Sequence, residues 1–210
     1  MARRPDAKAK KKPPRTYHHG KLREALIEAT LRLVEEGGPE AVTVREAARR
    51  SGVSSGAPFR HFPNRTVLMT AVAEEATHRL HAAVLAAVEP IADKPPLVQL
   101  RAIGRAYLHW AADNPTHFAV VSNRGLIDYE SSSSMKRENE DIQALMGRLL
   151  DAAGAPAGAK LAARALVYGL ARMSIDGHLP QWGVSSSGEA LAAMDAALDL
   201  FLDALLRPRG

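Results

Sequence analysis

Residues 43–62 have the sequence TVREAARRSGVSSGAPFRHF, the pattern of two short helices joined by a tight turn. Thr43 is placed to cap the first helix, and Glu46 three residues later would complete a capping box. Gly52 tolerates the left-handed backbone that a sharp turn needs, and Ser54 can cap a second helix. This second helix, from Ser54 to Phe62, can lie in the major groove of DNA. The stretch therefore predicts a helix-turn-helix.

Helical periodicity continues on both sides of this stretch. Residues 20–36 place apolar side chains three and four positions apart, and Gly37 to Pro39 end that pattern. Asn64 can cap a long helix that starts near Arg65 and continues to Pro90. Five further helical segments follow from Pro95 to about residue 205, and no stretch alternates as a strand does. We expect an all-α fold.

The expected organisation has three parts. Residues 1–16 form a disordered basic arm, and residues 17–64 form a helix-turn-helix domain of three short helices. Residues 65–210 form a larger helical domain. A chain of 210 residues is long enough to bury a sizeable core in such an arrangement.

The positive charge is concentrated in the arm. Residues 1–15 hold seven basic side chains and one acidic one, a net charge of +6, whereas the whole chain carries +5. A flexible basic arm can contact DNA phosphates or enter a minor groove. It can also be a solubilising tail that contacts nothing. The sequence leaves both roles open.

Several classes of function are disfavoured by what the sequence lacks. The chain has no cysteine, so it has no disulfide, thiolate metal site or cysteine nucleophile, and this fits a reducing cytoplasm. There is no phosphate-binding glycine loop and no nucleophile-elbow motif, and we expect no enzyme. The eight histidines lack the spacing of a metal site, so we expect no metal and no cofactor. No apolar run is long enough to span a membrane.

The block from about Lys21 to Leu68 resembles the N-terminal domain of the TetR family of transcriptional regulators. The residues that carry the resemblance are TVREAA at 43–48, GVSSGAPFRHF at 52–62 and PNR at 63–65. Two positions depart from the family pattern. Phe59 stands where a tyrosine commonly binds phosphate, so we expect it to contribute packing only. Pro58 lacks an N–H near the fourth helical position, so we expect an irregular start to the recognition helix.

The resemblance and the local chemistry together give a set of candidate DNA contacts. Ser54 lies at a helix N-terminus that favours phosphate, Ala57 could meet a thymine methyl group, and Arg65 could bind a phosphate. The full set is Thr43, Arg45, Ser54, Ser55, Gly56, Ala57, Phe59, Arg60, His61 and Arg65.

The resemblance also implies that the larger domain binds a small molecule and forms a dimer. Candidate ligand contacts are polar, bulky or flexible side chains on otherwise bland helix faces, although core packing or a surface position would explain each of them as well. They are Arg105, His109, Trp110, Phe118, Met135, Met146, Arg172, Met173, Asp176 and Trp182. The last two helices carry small and apolar residues suited to a self-complementary four-helix interface.

The expected function is a cytoplasmic homodimeric repressor that binds a palindromic operator in double-stranded DNA and is released by a small-molecule effector of unknown identity. Its long helix after Arg65 would connect the effector site to the DNA-binding end. Two alternatives stay open. One is a non-specific DNA-organising protein driven by the basic arm, and the other is a small-molecule carrier.

Overall fold

The computed structural model describes residues 19–54 and 56–205, which form eight α-helices and no strand. The side chains of residues 19, 20 and 187 are outside this description, as are residues 1–18, 55 and 206–210. The expected basic arm therefore lies outside the described residues. The helices are α1 (His19–Gly37), α2 (Val44–Arg50), α3 (Arg65–Val88), α4 (Pro96–Asp113), α5 (Pro115–Val121), α6 (Ser133–Ala152), α7 (Ala159–Ile175) and α8 (Ser187–Leu205). We call residues 19–64 the head and residues 65–205 the body.

The head is organised around buried apolar faces of α1 and α2. Leu26 and Ala47 are fully buried there, together with Phe62 at the end of the helix-turn-helix. Thr43 caps α2 as predicted, because its hydroxyl accepts a hydrogen bond from the Glu46 N–H at 3.0 Å. The Glu46 carboxylate is used differently from the expected capping box. It accepts hydrogen bonds from the guanidinium groups of Arg49 and Arg50.

The turn after α2 forms as the sequence indicates. Gly52 has a φ of 67°, which favours glycine over other residues, and Val53 packs against the head core. The Ser51 hydroxyl donates to the carbonyls of Ala47 and Ala25, at 2.7 and 3.1 Å. The end of α2 is thereby fastened to α1.

The second helix of the motif is shorter than expected. In place of a regular helix over 54–62, the described residues form a turn and a short 3₁₀ helix, Pro58–Arg60. Pro58 has no N–H to give to the Ser54 carbonyl, which instead accepts from the Ala57 N–H at 3.1 Å. The His61 and Phe62 N–H groups both bond to the Pro58 carbonyl. The irregular start expected from Pro58 thus extends over most of the segment.

Helix α3 connects head and body. Asn64 caps it as predicted, accepting from the Val67 N–H at 2.9 Å. The first half of α3 buries Leu68 and Val72 in the head core, and the second half buries Val84 and Val88 in the body core. A single continuous helix therefore contributes to both cores.

The body packs α4 centrally against α3, α6, α7 and α8. Helices α4 and α8 approach closely at Gly104, where an added Cβ would lie 2.5 Å from a Leu198 methyl carbon. Basic side chains at every fourth position of α4 face acidic side chains at every fourth position of α8. In this charge ladder Arg101 pairs with Asp199 and Asp203, Arg105 pairs with Asp195 and Asp199, and His109 Nε2 lies 3.1 Å from an Asp195 carboxylate oxygen.

A second connection between head and body runs through the segment from α5 to α6. Val120, Ile127 and Met135 belong to the body by sequence but are buried in the head core. The Asp128 N–H donates to the Thr70 hydroxyl of α3 at 2.9 Å. Since α6 begins in the head core and continues into the body, it is a second element shared by both.

Candidate DNA-binding face and ligand cavity

The helix-turn-helix presents two arginines to solvent. Arg45 in the first turn of α2 and Arg60 at the end of the 3₁₀ helix are both exposed, and neither forms an ion pair or side-chain hydrogen bond with a described residue. Thr43, Ser54 and Gly56 are exposed as well. Free guanidinium groups beside small polar residues suit contacts to phosphate oxygens and base edges.

The other cationic side chains near this face are engaged within the head. Arg49 binds the Glu46 carboxylate at 2.7 and 2.8 Å, and Arg50 bonds to Glu36 at 2.6 Å. The hydrogen bond from Arg49, joined by Arg50, lowers the Glu46 pKa from 4.5 to about 2. Glu46 therefore stays ionised and keeps both arginines paired.

The Arg65 side chain, expected to contact a DNA phosphate, bonds to residues within the head. Its Nη2 donates to the Pro39 carbonyl at 2.8 Å and lies 3.6 Å from a Glu40 carboxylate oxygen. The side chain thereby fastens the start of α3 to the link between α1 and α2. We assign this side chain a role in holding the head together, and its contact with a DNA phosphate stays a prediction.

Three further candidates also occupy positions that the sequence did not indicate. Ala57 is partly buried and packs against the head core, so its methyl group is not directed freely outward. Phe59, expected to contribute packing only, is 40% exposed, and Phe62 is buried in the head core. His61 is half-buried, with its ring 6.4 Å from that of Phe62. Ser55 lies outside the described residues.

The body encloses a cavity of about 280 Å³ among helices α3, α4, α6, α7 and α8. Each wall repeats a helical spacing of three and four residues. The lining residues are Leu80 and Val84 of α3; Leu100, Ile103, Gly104 and Tyr107 of α4; Asn139, Ile142, Gln143 and Met146 of α6; Lys160, Leu161, Ala163, Arg164 and Val167 of α7; and Leu198 and Leu202 of α8. A mostly apolar cavity with a few polar groups is typical of a small-molecule site.

Of the ligand contacts expected from the sequence, only Met146 lines this cavity. Arg105 and His109 belong to the charge ladder between α4 and α8. Trp110 and Phe118 are buried in the body core. Polarity and bulk in these four residues therefore reflect helix packing.

The other expected contacts are also absent from the cavity lining. Met135 is fully buried in the head core. Arg172 and Asp176 form an ion pair at 2.8 Å one helical turn apart, and Arg172 also donates to the Ser122 hydroxyl. Met173 is half-buried outside the lining, and Trp182 is 75% exposed. Sequence reasoning missed the polar lining residues of α6 and α7, although their spacing was visible.

Tyr107 and Arg164 form the main polar contact of the cavity wall. The Arg164 guanidinium lies 4.8 Å from the centre of the Tyr107 ring and 5.5 Å from that of Tyr168. Burial raises the Tyr107 pKa, although the neighbouring Arg164 acts in the opposite direction. The phenol is therefore protonated at neutral pH and can act as a hydrogen-bond donor.

The described part of the chain has neither a metal-binding cluster nor a membrane-spanning helix. No group of three or more histidine, aspartate or glutamate side chains there is placed to hold a metal ion. None of the helices in residues 19–54 and 56–205 is long and apolar enough to cross a membrane.

A helix-turn-helix head joined by a long helix to a helical body with an apolar cavity is the architecture of a transcriptional regulator that senses a small molecule. Two family models match the chain. "Bacterial regulatory proteins, tetR family" matches residues 26–72, and "Tetracyclin repressor-like, C-terminal domain" matches residues 100–201. The chain belongs to the TetR family of transcriptional regulators, whose members are not enzymes.

Individual relatives agree with this assignment. The HTH-type transcriptional regulator BetI of Cronobacter sakazakii is 29% identical over 128 residues, 61% of each chain. The HTH-type transcriptional repressor KstR of Rhodococcus jostii is 41% identical over 54 residues, 25% of this chain and 26% of the relative. The matches thus span less than two thirds of these relatives. A solved tetR-family regulatory protein from Rhodococcus has the same fold, with a TM-score of 0.71 at 22% identity, covering 88% of this chain and 97% of the other.

Proposed function

We propose that this protein is a cytoplasmic, dimeric repressor that binds an operator through its head and leaves it when a small molecule occupies the body cavity. The observation that carries the proposal is the pair of exposed arginines, Arg45 and Arg60, which form no ion pair with a described residue, whereas Arg49, Arg50 and Arg65 are engaged within the head. Charges left free on one face are available to DNA phosphates and bases without the loss of an internal ion pair.

The DNA-binding test uses single substitutions on this face. Arg45→Ala and Arg60→Ala should each weaken operator binding by roughly 1–3 kcal/mol if the side chain contacts a base, and should lower the salt slope by about one unit if it contacts a phosphate. Arg148→Ala is the matched control, because Arg148 is an exposed arginine of α6 in the body that forms no ion pair with a described residue. Equal operator affinities of the unchanged protein and the three variants would contradict the proposed DNA-binding face.

Release of DNA requires that the effector bind one conformation of the protein more tightly than another. Helix α3 supports such a mechanism, because Leu80 and Val84 line the cavity and Leu68 lies in the head core of the same helix. Helix α6 adds a second path, from Met146 at the cavity to Met135 in the head. A ligand that changes the packing of either helix can change the position of the head.

We propose that the dimer forms through α7 and α8. On α8, Ala192, Ala196 and Leu200 are exposed at a spacing of four residues, and Leu200 is 70% exposed. Small and apolar side chains in such a row permit a close contact between helices of two subunits. Two subunits are also what a two-fold symmetric operator demands.

Leu200→Glu should convert the dimer into a monomer, because it places a charge at the centre of an apolar contact. Leu85→Glu is the control, since Leu85 is also exposed, at 43%, but lies on α3. Sedimentation velocity distinguishes the two. A Leu200→Glu protein that remains dimeric would rule out this face.

The charge distribution of the chain supports one alternative function. The net charge of +6 in residues 1–15 suits a DNA-organising protein that binds without sequence preference. Removing residues 1–15 distinguishes the two functions. The repressor would lose affinity for all DNA while keeping its preference for the operator, whereas the organising protein would lose DNA binding altogether. A carrier of small molecules would bind no DNA in either form.

A further inference from the structure

The charged groups that line the cavity are all cationic. Lys160 and Arg164 are cationic, Asn139 and Gln143 are neutral amides, and no aspartate or glutamate is among the lining residues. The remaining walls are aliphatic apart from Tyr107. Because two cationic groups and no anionic group border the apolar walls, this lining favours an anionic ligand group over a cationic one.

The two cations have no counter-charge within the described part of the chain. Lys160 and Arg164 lie one turn apart on α7, and neither forms an ion pair with a described residue. Like charges at this spacing destabilise a helix slightly. An anion bound between them would remove this repulsion and would also lie near the N-terminus of α7, where the helix dipole favours negative charge.

The position of Arg164 is set before any ligand binds. Its guanidinium rests on the rings of Tyr107 and Tyr168, at 4.8 and 5.5 Å from their centres. Such stacking restricts the side chain, and the contact with the Tyr107 hydroxyl leaves other N–H donors of the guanidinium available. Both Lys160 and Arg164 are exposed, so this end of the cavity is open to solvent. A charged ligand group placed there would keep part of its hydration.

The volume of the cavity limits the size of the apolar part of the ligand. At about 30 Å³ for each water-sized group, a volume of about 280 Å³ holds roughly nine such groups. The far walls are formed by aliphatic residues of other helices, including Val84, Leu100 and Leu202. These walls offer no hydrogen-bonding partner, so the buried part of the ligand has to be a hydrocarbon chain or ring.

We propose that the effector is an anionic amphiphile, a carboxylate with a hydrocarbon part of roughly nine carbons, held at its head by Lys160 and Arg164. This inference rests on the proposed function in taking the body cavity as the effector site. The carboxylate lies at the open end, near the first turn of α7. The hydrocarbon part lies among the aliphatic side chains of α3, α4, α6 and α8.

The test compares three probes with the same alkyl chain and different head groups: decanoate, decanamide and decyltrimethylammonium. Binding to the full-length protein without DNA is measured by isothermal titration calorimetry, below the concentrations at which the probes form micelles. Decanoate should bind roughly tenfold to hundredfold more tightly than decanamide, since a charge-assisted hydrogen bond is lost in the amide. The cationic probe should bind more weakly than both. Equal binding of all three, tighter binding of the cation or no binding of decanoate would overturn the proposal.

Substitutions locate the preference within the protein. Lys160→Gln and Arg164→Gln together should reduce decanoate binding to the level of decanamide, and should leave decanamide binding unchanged. Arg148→Gln is the control, because it removes an exposed arginine outside the lining. Thermal unfolding without ligand shows whether the double variant is folded. A folded double variant that still prefers decanoate would overturn the assignment of these two residues.

A DNA-binding measurement separates this inference from the proposed function. Anisotropy of labelled operator DNA is recorded with and without decanoate. If decanoate binds as expected but leaves the DNA complex intact, the ligand class is right and the release mechanism is wrong. If a different compound releases the DNA without displacing bound decanoate, the effector binds outside the cavity and the proposed anionic effector is wrong.

Discussion

Truncation of Met135 tests the connection between head and body most sharply. Met135 belongs to α6 of the body but is 0% exposed inside the head core. Met135→Ala removes three buried heavy atoms, which at about 0.8 kcal/mol for each buried group is about 2.4 kcal/mol of lost transfer free energy. The space left behind adds a cavity term, so we expect a loss of about 2–5 kcal/mol in the free energy of unfolding.

Met194→Ala is a matched control for this experiment. Met194 is 2% exposed, carries the same side chain and lies on α8 in the body core. Urea unfolding should give a similar overall loss for both variants. Amide hydrogen exchange should separate them, because Met135→Ala reduces protection mainly in α1 and α2 and Met194→Ala mainly in α4 and α8. A loss below about 1 kcal/mol for Met135→Ala, or unchanged exchange in the head, would refute the structural connection.

Two further predictions concern the helix-turn-helix and the cavity. The lowered pKa of Glu46 stabilises the folded state above the ordinary carboxylate pKa of 4.5, and this contribution is lost as the pH falls towards about 2. The stability measured by circular dichroism should therefore change less over this pH range in Glu46→Gln than in the unchanged protein. The same pH dependence in both proteins would contradict the pairing of Glu46 with the two arginines. Leu80→Phe, at the cavity wall on α3, should change effector-dependent release while leaving DNA affinity without effector unchanged. Equal losses of both in anisotropy titrations would contradict a role for α3 in transmission.

The local features of the head could be predicted because they depend on neighbours in the sequence. Thr43 and Asn64 cap their helices through bonds to residues three positions later, and Gly52 makes the turn. The carboxylate of Glu46 was less predictable, because two arginines compete with the capping bond. Which side chain wins depends on rotamers that the sequence pattern does not specify.

The cavity was harder to predict, because it depends on how helices that are distant in the sequence pack against each other. The polarity of Arg105 and His109 suggested ligand contacts, yet these side chains lie against Asp195 and Asp199 of α8. Such pairing is visible only when α4 and α8 are placed side by side. The spacing of lining residues on α6 and α7 indicates an apolar helix face, but does not indicate whether another side chain or an empty volume faces it. Lys160 and Arg164 could be recognised only after the structure placed them at the cavity with no ion pair to another described residue.

The most direct test of the central claim is fluorescence anisotropy of the full-length protein on DNA from its own upstream intergenic region, with a scrambled duplex of equal length and composition as control. The titration is done at about 150 mM salt, where non-specific binding is weak. The account predicts tight binding to the upstream DNA with at least two subunits for each site, and weak binding to the scrambled duplex. Equal affinity for both duplexes would contradict sequence-specific recognition by the head, and would favour non-specific binding by the basic arm.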